Sequence, residues 1–89
     1  MGKVIRVNFN HAPSIIAYSA DVYSQDMKKH QFQLLSESIV DAYHAFINEA
    51  SIVGVKVVKC IAIYKGTLNT RELSQPPVSV WHMQSGKHG

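Results

Sequence analysis

Glu37, Asp41 and His44 are the nearest approach in this sequence to a metal-binding or acid–base cluster. On a helix, residues three and four apart share a face, so these three side chains would converge. Ligation needs that convergence together with outer groups that orient the ligands. The same residue types build an ordinary solvated helix face, and little else in the chain supports a site. His30 lies two turns before Glu37. The five histidines, His11, His30, His44, His82 and His88, show no zinc-type spacing with cysteine. His82 falls in the last apolar segment and reads as a strand histidine that can border a cleft.

Cys60 sits within 57–64, the most apolar stretch of the chain. A catalytic cysteine needs thiolate character, from a helix N-terminus or a basic partner, and access. Cys60 has neither in its local sequence and reads as a structural residue. There is no Gly-x-Ser-x-Gly elbow and no glycine-rich phosphate loop. The expectation is a non-enzyme with no catalytic residue, no metal and no cofactor.

Charge offers a second kind of chemistry. The chain carries a formal net charge of +3 and a pI of about 9.2, which permits nucleic-acid binding without requiring it. Lys28 and Lys29 stand beside His30, and Lys56, Lys59 and Lys65 belong to a long apolar segment and its exit. Lys28, Lys29, Lys56 and Lys59 are the nucleic-acid candidates. Only two residues are arginine, and the charges look scattered along the chain, whereas a groove-reading module concentrates them on one element. Tyr64 and Trp81 are aromatic enough to stack on bases but serve equally well as core.

These residues must be positioned by a small number of elements. Alternation over 3–9 predicts a strand with Ile5, Val7 and Phe9 on one side. Segment 15–23 reads as a strand, with Ile16, Tyr18, Ala20 and Val22 on one face and Ala17, Ser19 and Asp21 on the opposite one. A helix capped by Ser14 is its alternative. A long amphipathic helix is expected over 26–50, on the stripe of Phe32, Leu35, Ile39, Ala42, Tyr43, Phe46, Ile47 and Ala50, with Asp26 as cap and Gly54 as stop. Segment 55–64 is a strand apolar on both faces. A loop over 65–77 follows, with a helical turn at 70–73, and a final strand over 78–83. The fold class is α+β: a three- to four-stranded antiparallel sheet packed against one long helix, in the order β-β-α-β-β. The 89 residues make a single domain over 1–84 with a polar tail at 85–89.

One helix covers one face of such a sheet. Val58, Cys60, Ala62, Tyr64 and either Val80 or Trp81 are then expected on the other. The chain is 46% hydrophobic and only 17% charged, so an uncovered apolar face is the expected consequence, and such faces mark interfaces. Val58, Tyr64, Leu68, Arg71 and Trp81 are the interface candidates. The leading expectation is a non-enzymatic binding or accessory protein acting through a protein partner or as its own homo-oligomer. The alternatives are a small basic nucleic-acid-binding regulator and, third, a metal-dependent protein built on Glu37, Asp41 and His44. A lone cysteine, no signal peptide and no 20-residue apolar run point to a cytoplasmic protein without a membrane partner.

Overall fold

The computed structural model describes residues 15–83; the strand expected over 3–9 and the tail at 85–89 lie outside them. The elements are β1 (Ile16–Ser24), β2 (Lys29–Ser36), α1 (Ile39–Ile52), β3 (Val58–Lys65) and β4 (Ser79–His82). They form one antiparallel sheet in the order β2-β1-β3-β4, with α1 against one face. The α+β class and the β-β-α-β-β order match expectation, and the strands expected over 15–23, 55–64 and 78–83 are β1, β3 and β4; β2 is the strand that was not expected.

The largest departure is β2. The segment expected to begin the helix is a strand whose exposure alternates residue by residue: Phe32 and Leu34 turn inward, while Gln31, Gln33 and Leu35 turn outward. Leu35, placed on the helical stripe by its spacing, is 70% exposed. A hairpin explains the difference. Met27 N–H donates to Ser24 O at 2.8 Å and Ser24 N–H donates to Lys28 O at 3.0 Å, which reverses the chain and sets Tyr23 opposite Lys29. A residue in the left-handed region closes many such turns, and here it is Met27, at φ 66°.

The helix begins at Ser38, whose hydroxyl accepts from Asp41 N–H at 3.1 Å. That bond satisfies one of the orphan donors of the first turn. Ala42, Phe46 and Ala50 recur every fourth residue and are fully buried. The helix ends in a Schellman motif: Val55 N–H reaches Ala50 O at 2.8 Å and Gly54 N–H reaches Ser51 O at 3.0 Å. Gly54 takes the left-handed conformation there, at φ 97°.

The core lies between α1 and the inward face of the sheet. Tyr18, Ala20 and Val22 of β1 meet Ile61 and Ile63 of β3 under Phe46. Ala20 of β1 and Ala42 and Ala50 of α1 are fully buried in the same cluster. Burial of this apolar cluster supplies most of the driving force, at about 25 cal/mol for each Å² removed from water.

Candidate functional site

Two faces of the sheet have opposite characters, and the register fixes which residues belong to each. On the uncovered face, three cross-strand rows run over the sheet. The first is Lys29, Tyr23, Cys60 and His82; the second is Gln31, Asp21, Ala62 and Val80; the third is Gln33, Ser19 and Tyr64. The expected uncovered apolar face is therefore largely polar and aromatic. Glutamine, lysine, serine and aspartate from β1 and β2 interrupt it.

Val58, expected on that face, lies on the other, and so does Trp81, one of the two alternatives for the β4 position. A bulge in β3 sets Tyr23 opposite Cys60 but Ser24 opposite Val58, so Lys59 is the extra residue and Val58 turns to the helix side. Val58 and Trp81 both pack against the core. Trp81 stacks on Tyr43 of α1 with ring centroids 4.2 Å apart, and of the pair Val80 and Trp81 it is Val80 that stays outside.

The loop over 66–78 folds back across the uncovered face. It is fastened by Arg71, whose Nη2 meets Asp21 Oδ1 at 2.9 Å while its Nη1 approaches Ser19 Oγ at 3.4 Å. Gln31 Nε2 donates to the same Asp21 oxygen at 3.0 Å, and Leu68 N–H donates to Gln33 Oε1 at 2.9 Å. In place of the expected helical turn at 70–73, hydrogen bonds from Arg71 N–H to Thr67 O and from Gln75 N–H to Glu72 O shape two successive turns. A cavity of about 350 Å³ remains beneath, bordered by Asp21, Lys29, Tyr64, Leu68 and Arg71 among others. Three of the five interface candidates, Tyr64, Leu68 and Arg71, are thus gathered here.

The four lysine candidates are brought together at one end of the sheet. Lys28 closes the β1–β2 hairpin, Lys29 opens β2, Lys56 lies in the loop between α1 and β3, and Lys59 sits at the bulge; all four are exposed. Between the two loops lies a cleft of about 560 Å³ bordered by Lys28, His30, Lys56 and Gly54 among others. Asp26 is the sole carboxylate in the two loops. Its pKa is lowered, first by the hydrogen bond from the Ser24 hydroxyl, against an opposing effect of desolvation, and further by the Lys28 backbone N–H and charge. Residues 15–83 contain six basic and six acidic side chains, so they carry no net formal charge. Glu37 and Asp41 lie at the far end, where α1 starts, while Glu49 stands in the last turn of α1 and Asp21 and Glu72 border the cavity that Lys29 also lines.

Glu37, Asp41 and His44 do not share the geometry that motivated them, because Glu37 precedes the helix. Among the described residues no three His, Cys, Asp or Glu side chains stand close enough to hold a metal ion. Among them, too, no helix is long and apolar enough to cross a membrane. Tyr23 was not singled out by sequence, although the alternation that turns Ser19 and Asp21 outward carries Tyr23 with them. No family model, curated protein or solved structure matches this chain.

Proposed function

We propose that this chain is a small non-enzymatic binding protein whose partner is nucleic acid. The observation that carries the reading is the convergence of Lys28, Lys29, Lys56 and Lys59, from segments far apart in sequence, at one end of the sheet. Four of the six basic side chains in residues 15–83 are spent there. Arg71 is committed to Asp21 and Tyr64. Unpaired exposed lysines attract phosphates by releasing condensed counterions, so the affinity falls steeply with salt.

Fluorescence anisotropy of a labelled oligonucleotide at two salt concentrations tests this. Micromolar binding is expected, with log K falling against log salt at a slope of about −3 for four single-strand phosphate contacts. The double variant Lys28→Glu, Lys56→Glu should abolish it. Absence of binding at low salt refutes the reading.

A second reading, self-association, draws on a different observation. Among the described residues β4 is an edge strand of four residues, and the buried indole N–H of its Trp81 has no acceptor among them. Open edges are templates for pairing with another chain. Sedimentation of the free protein at high micromolar concentration decides it: a monomer removes this reading.

A further inference from the structure

We infer that the nucleic acid taken by this protein is single-stranded and that one of its bases stacks on Tyr23. The inference rests on the nucleic-acid reading above and adds the form of the ligand and the residue that would distinguish it.

The aromatic side chains of the described sheet and helix are mostly committed. Tyr18 and Phe46 are buried in the core. Tyr43 and Trp81 stack on each other. The Tyr64 ring is capped by the Arg71 guanidinium, 3.9 Å from its centroid. Tyr23 is only partly buried and makes no ring–ring or cation–π contact among the described residues. It stands on the uncovered face in direct register with Lys29 on one side and Cys60 on the other, and His82 completes the row on β4. Neighbouring strands are about 4.8 Å apart, so a ring lying on Tyr23 places its phosphate within reach of the Lys29 ammonium. Lys28 and Lys59 continue the positive charge at the same end of the sheet.

The geometry selects against a duplex. A β-sheet face is broad and slightly twisted, and a ring lying on it meets a base face only if that base has left its own stack. Unpaired bases offer their faces to aromatic side chains with little regard to sequence. Stacking needs no 2′-hydroxyl, so DNA and RNA strands should behave alike.

The experiment compares labelled single-stranded DNA with its duplex, using the wild-type chain and the variants Tyr23→Leu and Tyr23→Phe. Expected are a tenfold or greater preference for the single strand, a tenfold or greater loss of single-strand binding in Tyr23→Leu, and binding within twofold of wild type in Tyr23→Phe. A wild-type preference below twofold overturns the inference whether or not Tyr23→Leu folds. Equal loss in both tyrosine variants also overturns it, since the ring is retained in one. If both DNA forms bind equally and only the lysine double variant loses affinity, the single-strand inference fails and the nucleic-acid reading stands. Binding to phosphatidylserine vesicles but to neither DNA overturns both, and would assign the lysines, with exposed Met27, Val53 and Val57 beside them, to an anionic lipid surface.

Discussion

The Arg71 guanidinium carbon sits over the Tyr64 ring, 3.9 Å from its centroid, while the same group is bonded to Asp21. A cation over an aromatic face and a salt bridge on the same side chain hold the loop over 66–78 against the sheet. Both charged side chains are mostly withdrawn from water, at 13% and 9% exposure.

Removing Arg71 leaves the Asp21 carboxylate under the loop with Gln31 as its remaining partner. Breaking a withdrawn pair from one side costs more than the pair is worth. Arg71→Ala should lower stability by about 2–3 kcal/mol in urea unfolding. It should also open the loop to protease cleavage around Leu73. Unchanged cleavage would mean that the loop is held by Leu68, Gln75 and Gly66 without its arginine.

Phe46 is the largest side chain in the core that is wholly buried. It fills the space between α1 and the β1–β3 pair that Ala20, Ala42 and Ala50 leave around it. Small neighbours cannot collapse inward to fill a vacancy. Phe46→Ala should therefore cost about 3–5 kcal/mol, enough to unfold much of a domain this size. Thermal melting followed by circular dichroism measures it, and a loss below about 1 kcal/mol would place the core elsewhere.

Ser38 starts the helix, and its loss tests why the helix is shorter than its apolar spacing implies. Ser38→Ala should cost about 1 kcal/mol through the lost bond to Asp41 N–H, read by chemical denaturation. Much of the fold was legible. The inward set of Tyr18, Ala20 and Val22 follows from alternation, and Ala42, Phe46 and Ala50 from helical spacing. The misreading at 29–36 came from Phe32 and Leu35, which fit a three-residue interval by chance, while Phe32 and Leu34 fit the two-residue interval that governs. Ser38 with Asp41 three residues later was a start signal inside the apparent helix. The site was less legible. A one-residue bulge at Lys59 moves Val58 to the other face, and only tertiary folding brings Lys28 beside Lys56. The commitment of Arg71 to Asp21, 50 residues away, has no local signature at all.

Met27 occupies a backbone conformation that costs a residue with a side chain about 1–2 kcal/mol. At φ 66° it lies where glycine is at ease. The side chain is exposed and outside the core, so little is lost by removing it. Met27→Gly should raise stability by about 1 kcal/mol, the strain relieved exceeding the added freedom of the unfolded chain. A fall in stability would show that the Met27 side chain is held by contacts worth more than its strain.

Asp26 links the hairpin to pH. The Ser24 hydroxyl donates to its carboxylate, and the Lys28 backbone N–H and charge add to the effect, so the folded pKa lies below the ordinary carboxylate range. A group whose pKa falls on folding binds its proton less readily in the native state. Its contribution to stability is therefore complete above the unfolded value, about 3.9 for aspartate, and disappears as the pH drops through the folded value. Asp26 is fully exposed to solvent, so the effect is local to the turn. Carbon-detected titration of its carboxyl group should give a midpoint below that of an unfolded peptide. In Ser24→Ala the midpoint should rise toward the ordinary value, because the largest cause has been removed. Equal midpoints in the two proteins would show that Lys28, and not the hydroxyl, holds the carboxylate in its ionised form.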